Sequence, residues 1–345
     1  MNEKRQNIHI ELLRCIACFL VIFNHTAYAI RNIAPGDLSK SRIVTLILYF
    51  LCKTAVPLFL LIAGANLLNK KDNPQKLVKR IGKIILLILV GSLPYWITDN
   101  INPFSSDYWG GLYRGDYNAS VWYLYLYLGI LVMLPILQSI KLTNKQHIYL
   151  LMLYLLGPGL FPLLNIYFSL PMPAAPLYYA VPSCYVVLLL TGNYLENQID
   201  IAKLTTKKII FIWVGLFLSL MLSFISAIYQ LDTIGHIDYD SVYGTTYYSL
   251  TVCISICIYL LIRYYFRSFK APFMKKIISQ LGKYTLGIYL FGEFIRVRFE
   301  FIYDRLKANI SQLAAVLIYS ICIYLTGALV MFIFYSVKER IFKKR

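Results

Sequence analysis

Acidic residues are scarce in this chain. Sixteen Asp and Glu stand against 34 Lys and Arg in 345 residues, and charged residues of both signs make up only 14%. A soluble protein of this size carries about 25% charged residues to cover its surface, so most of this exterior is not built for water. Cysteine is missing from every polar loop. Cys15, Cys18, Cys52, Cys184, Cys253, Cys257 and Cys322 all lie in apolar runs, which excludes a disulfide framework or a cysteine zinc site. Cys15-x-x-Cys18, buried in such a run, reads as small apolar packing rather than a redox pair. There is no internal repeat, no low-complexity tract and no polar stretch long enough for a soluble domain, and no metal ligand set is expected.

What is present is 59% hydrophobic residues gathered in long runs. A helical span needs about 20 mostly apolar residues, and on that measure the chain has about ten. They lie near residues 8–30, 43–68, 81–97, 121–140, 148–164, 177–195, 209–229, 242–266, 284–302 and 313–337. The expected fold is an all-α polytopic membrane protein, with one membrane domain over residues 8–337 and a basic tail over 338–345. The first run is expected to stay as a helix rather than be cleaved as a signal peptide, because Glu11, Arg14 and His25 interrupt it and no small-residue cleavage site follows. The ninth is the weakest span, since Glu293, Arg296, Arg298 and Glu300 crowd its second half.

The formal charge of +18 is unevenly placed. Lys70, Lys79, Arg80, Lys83, Lys141, Lys203, Lys207, Lys275, Lys276 and Lys338 fall in every second connection or at the termini. Asp107, Asp116, Asp232, Asp238 and Asp240 fall in the others. This is the positive-inside asymmetry; it argues against nucleic acid as a partner and places both termini in the cytoplasm of a multi-pass cell-membrane protein.

The first run holds the residues that carry chemistry. An ionisable side chain facing lipid costs several kcal/mol, about 3 on insertion scales, so Glu11, Arg14 and His25 should face the bundle interior. The eleven-residue step from Arg14 to His25 is within about 20° of three full turns and rises roughly 16 Å, which sets both on one face. Glu11, one turn before Arg14, can pair with it. His25 is read as the one histidine of four inside a span, and imidazole is the usual general base near neutral pH. The same residues also fit a structural ion pair and a hydrogen-bonded interior histidine.

Glu11-x-x-Arg14, the ten residues between Arg14 and His25, and Val56-Pro57-Leu58-Phe59-Leu60-Leu61-Ile62-Ala63-Gly64 resemble the opening of the acyltransferase 3 family of membrane acyltransferases. Lys79-Arg80-Ile81-Gly82-Lys83, Val121-Trp122-Tyr123-Leu124 and Leu281-Gly282-Lys283-Tyr284-Thr285-Leu286-Gly287-Ile288-Tyr289-Leu290 are similar to its later landmarks. The resemblance implies transfer of an acyl group, usually acetyl, from cytoplasmic acyl-coenzyme A to a hydroxyl of an envelope polysaccharide or lipid-linked sugar. Coenzyme A is then a donor substrate rather than a resident cofactor.

By that resemblance His25 matches the essential histidine, Arg14 its partner arginine, and Arg80 and Lys83 the basic pair after the second span. Arg14 is read as a binder of the coenzyme arm oriented by Glu11. Arg80, Lys83 and Lys79 are candidates for its phosphates, although basic residues also flank inward span ends for insertion alone. Trp109 with the loop aromatics, and Trp122 and Tyr123 by the resemblance, are candidates for holding a sugar; an interfacial aromatic belt would look the same. Gly292 stands where the family often has a histidine. No esterase-like extra domain is expected, so the membrane domain would act alone or with a separate envelope-biosynthesis partner. The competing readings are an exporter of envelope polymers and a membrane sensor or assembly subunit that has kept the fold without the activity.

Overall fold

The computed structural model describes residues 7–26, 39–70, 73–98, 102, 104–116, 121–168, 183–234 and 248–342, and among these the chain is helical with no strand. The helices are α1 (Ile8–Thr26), α2 (Lys40–Lys53), α3 (Ala55–Leu67), α4 (Pro74–Thr98), α5 (Ser106–Arg114), α6 (Trp122–Ser139), α7 (Asn144–Leu156), α8 (Phe161–Phe168), α9 (Cys184–Asn197), α10 (Thr206–Ile234), α11 (Ser249–Phe266), α12 (Pro272–Arg298), α13 (Glu300–Lys307) and α14 (Gln312–Phe342).

Seven of the segments are long and apolar enough to cross a membrane: α1, α2 with α3 as one 25-residue stretch, α4, α6, α10, α11 and α14. The other three expected spans are helical in a different way. The fifth is split into α7 and α8 by the turn around Gly157 and Pro158. The sixth shows only the 14 residues of α9, the rest lying outside the described residues. The ninth is the 27-residue α12, whose Lys275, Lys276, Lys283, Glu293, Arg296 and Arg298 make it amphipathic rather than uniformly apolar. Asp238 and Asp240 also lie outside the described residues. The expected basic tail is in part helix, since α14 runs on to Phe342.

Two departures have local causes. Between the expected spans 81–97 and 121–140 the helix α5 forms: the Ser105 side chain accepts from the Tyr108 N–H and Gly115 takes a left-handed φ of 81°, a capped start and a glycine stop. The Tyr108 hydroxyl, 2.8 Å from Ser92 Oγ, pins α5 to α4. The second span breaks at Thr54, whose hydroxyl donates to the Leu51 carbonyl at 2.6 Å just before Pro57, which has no N–H to continue the ladder. Beside this break Lys53 is buried, its ammonium 4.7 Å over the Tyr49 ring.

The core is organised by α1, which packs against α2, α3, α11, α12 and α14. Cys15 and Cys18 point their thiols at the carbonyls of Ile278 and Thr285, and Ile22 meets Gly292, so α1 and α12 run parallel. Against them α14 runs the other way: Thr26 Oγ1 and Ser320 Oγ are 2.6 Å apart at one end, and Lys283 and Glu339 pair at 3.8 Å at the other. The start of α1 and the end of α14 therefore share one end of the bundle.

The closest crossing joins α3 and α9. A Cβ on Gly64 would lie 1.9 Å from the Leu189 carbonyl oxygen, and one on Gly192 would lie 2.0 Å from that of Leu61. Two backbones at this distance gain dispersion contacts that no larger residue allows. We expect Gly64→Ala and Gly192→Ala each to lower the thermal unfolding midpoint in detergent, by an overpacking cost of about 1–3 kcal/mol. The double variant should cost less than the sum, because the first methyl already parts the helices. Strict additivity would show the two glycines to be independent.

Candidate active site

On α1 the Glu11 carboxylate accepts from Arg14 Nη1 at 2.8 Å, with Glu11 only 7% exposed. The carboxylate fits against α12 because residue 282 is glycine: a Cβ there would sit 2.2 Å from Glu11 Oε2. Arg14 is held over a cavity of about 430 Å³, inside the range of about 300–1,000 Å³ typical of small-molecule sites. Its walls are Phe59, Ile62 and Asn66 of α3, Arg80 and Lys83 of α4, Tyr123 and Tyr127 of α6, and Lys283 and Tyr289 of α12. One end is thus ringed by four cations, while Phe59, Tyr123 and Tyr289 pack edge to face or tilted with ring centres 5.6–6.3 Å apart. A basic mouth leads to an aromatic interior.

Three turns along α1, His25 lines a second, very small cavity with Val21, Ile22, Tyr289, Gly292, Glu293 and Arg296. Its volume is about 10 Å³, room for one water. Tyr289 lines both cavities and so stands between Arg14 and His25. The His25 Nδ1 faces Glu293 Oε2 at 3.8 Å, an ion-pair distance rather than a hydrogen bond. Glu293 is in turn clamped by Arg296, whose Nε and Nη2 donate to its two oxygens at 2.9 and 2.7 Å. The Tyr319 hydroxyl, on α14, donates to the Arg296 carbonyl at 2.5 Å and fixes that turn of α12. A carboxylate set behind one ring nitrogen leaves the other to exchange protons, which is the arrangement of a general base with its orienting group.

A family model for an acyltransferase domain, acyltransferase 3, matches residues 7–335. The chain belongs to the acyltransferase 3 family. No curated protein and no solved structure matches it. Membership makes the chain a membrane acyltransferase, and it gives the two cavities on either side of Tyr289 a reaction to be read against.

Among the residues singled out in the sequence of this acyltransferase, the structure brings Arg14, Arg80, Lys83 and Tyr123 together around one cavity and Glu11 directly behind Arg14. Lys79 is exposed and does not line it. Neither do Trp109, 55% exposed on α5, and Trp122, 40% exposed at the start of α6. Tyr95 and Trp96 belong to α4; Tyr117 lies outside the described residues. Gly292, where a histidine is frequent in the family, adjoins His25 and touches Ile22.

The view of His25 as the one histidine in a span needs correction. His9 is buried in the first turn of α1, held 3.1 Å from Glu196, and His147 is buried on α7, stacked on Tyr194. Glu293 and Arg296 entered the sequence reading only as charges that weakened the ninth span, not as site residues. The available signal was their spacing: Glu293-x-x-Arg296 repeats Glu11-x-x-Arg14, and charges inside a span mark a site by default. Glu293→Gln keeps the volume and removes the charge; we expect the protein to insert normally while acyl transfer falls roughly 10–100-fold, as where a carboxylate orients a working imidazole. Asp304→Asn, an exposed control paired with Lys307 and lining neither cavity, should leave the rate unchanged, and equal rates for both variants would remove Glu293 from the site.

Proposed function

We propose that the protein transfers an acyl group, acetyl in the first instance, from cytoplasmic acyl-coenzyme A to a hydroxyl of a cell-envelope polysaccharide or lipid-linked sugar. The observation that carries this reading is that His25 and Glu293 line a small cavity which shares Tyr289 with the larger one, whose mouth is ringed by Arg14, Arg80, Lys83 and Lys283. The gathering of basic residues at the end of the bundle where α1 begins supports a cytoplasmic location for that end and for both termini, in a plasma or inner membrane. Ten crossings, with α9, α12 and the α7–α8 pair completing the seven long helices, agree with that orientation.

In this reading the phosphates of the donor meet Arg80 and Lys83, with Lys79 further out, and the pantetheine arm passes Arg14 along the aromatic wall. Bidentate guanidinium contacts suit phosphate or amide oxygens. The thioester reaches His25 once Tyr289 turns aside. The acceptor hydroxyl arrives from the opposite face, where Trp109 and Trp122 offer flat surfaces for a sugar. The free His25 nitrogen takes the hydroxyl proton as the oxygen attacks the thioester carbonyl. The carbon–sulfur bond then breaks, and the imidazolium returns the proton to the departing thiolate. Glu293, held by Arg296, stabilises the transient imidazolium and closes toward a full hydrogen bond as the site fills.

His25→Ala should insert and accumulate like the parent while transfer falls by about 10²–10⁴-fold, the usual share of general base catalysis. Mass spectrometry of envelope glycans from cells carrying the parent or the variant reads this as loss of an acetyl-sized mass. Unchanged acetylation would sink the assignment, and a change in polymer amount without a change in mass would point to export instead. Arg80→Gln/Lys83→Gln should raise the KM for acyl-coenzyme A about tenfold or more with a smaller change in kcat, the mark of lost uniform binding.

A further inference from the structure

The end of the bundle where α1 begins holds another cavity, of about 690 Å³, which shares no lining residue with the one beneath Arg14. Its floor is a buried ionic network that ties three helices together. Glu196 of α9 receives His9 of α1 at 3.1 Å, the Tyr259 hydroxyl at 2.8 Å and Arg263 Nε at 3.1 Å, both from α11. Arg263 also donates to the carbonyls of Leu195, Glu196 and Ile199. Among the described residues the one carboxylate in the lining is therefore already neutralised and hydrogen-bonded on all sides.

Around this floor stand Arg267, Lys270 and Lys275, with the hydroxyl residues Ser268 and Ser279. Arg267 donates one N–H to the Ile201 carbonyl at 2.8 Å and lies 5.1 Å from the Tyr264 ring, which orients its guanidinium and leaves further N–H groups for a ligand. Basic residues at inward span ends follow from insertion alone. That rule does not account for a cavity whose only acid among the described residues is cancelled from within, leaving a fork of guanidinium donors beside two ammonium groups. Such a set matches the oxygens of a phosphate.

We propose that this cavity binds a phosphate group, with Arg267 as the oriented donor and Lys270 and Lys275 as its charge partners, at a site separate from acyl transfer. The phosphate can belong to an anionic phospholipid headgroup or to a soluble phosphorylated molecule. Either ligand would fasten α1, α11 and α12 at the end where the donor enters.

The test uses the full chain in phosphatidylcholine nanodiscs with neither donor nor acceptor present, so it does not depend on the transfer reaction. Phosphatidylglycerol is added to the nanodiscs and retained lipid is read by native mass spectrometry; pyrophosphate binding is read by calorimetry. The Lys270→Gln/Lys275→Gln variant leaves the buried network intact, and Lys207→Gln/Lys208→Gln removes the same charge at exposed positions that line neither cavity. The first should weaken at least one probe about tenfold or more, a clear difference in binding free energy, while the second leaves that probe bound as in the parent. Loss of phosphatidylglycerol alone assigns a lipid headgroup and loss of pyrophosphate alone a soluble phosphate. Equal losses in both variants, loss in the second alone, or no binding of either probe to the parent would overturn the proposal.

Discussion

Everything in the site depends on how a few charges are kept inside an apolar bundle. A buried carboxylate or guanidinium has to find its partner within the protein, because lipid offers none. Here two helices solve the problem in the same way. Glu11 pairs with Arg14 on α1 and Glu293 with Arg296 on α12, each at a spacing of three residues. Each pair also leans on the neighbouring helix: Glu11 occupies the space a side chain at Gly282 would fill, and Glu293 faces His25. The parallel packing of α1 on α12 is thus both a structural joint and the frame of the site, and moving either helix would part Glu11 from Gly282 and Glu293 from His25.

The rest of the bundle holds that joint still. The Gly64–Gly192 crossing locks α3 to α9, and α3 supplies Phe59 and Asn66 to the wall beneath Arg14. α14 ties both ends of α12, through Tyr319 to the Arg296 carbonyl and through Glu339 to Lys283. Along this frame Tyr289 stands between the cavity beneath Arg14 and the small one at His25, lining both. A narrow point between two cavities suits an enzyme that has to keep donor and acceptor apart until both are bound.

Much of this was legible in the residues. Long apolar runs mark α1, α4, α6, α10, α11 and α14 because a helix in lipid has to be apolar over its full length, and an eleven-residue step from Arg14 to His25 fixes their common face. Arg80 and Lys83 were found through motif and charge together, and both line the cavity. What could not be read was tertiary. The sequence of α12 mixes an apolar stripe with charges that look interfacial until Glu293 is seen against His25. His9 reads as an ordinary first-turn residue until Glu196, 187 positions away, comes within 3.1 Å. The break at Thr54 was foreshadowed by Pro57, whereas α5 depended on a serine cap and a left-handed glycine in a stretch dominated by aromatics. Trp109, taken from the loop aromatics, and Trp122, taken from the resemblance, stand away from both cavities on either side of Tyr289.

The central claim is that the donor's reacting carbon arrives at His25 through the cavity beneath Arg14. A density map of the full chain in nanodiscs with a non-hydrolysable acyl-coenzyme A analogue tests it most directly. The account predicts phosphates beside Arg80 and Lys83, the pantetheine arm along Tyr123, Tyr289 rotated aside, and the acyl carbonyl within reach of the His25 ring with Glu293 behind it. An analogue that stops short of a closed Tyr289, or an imidazole turned toward lipid, would contradict it.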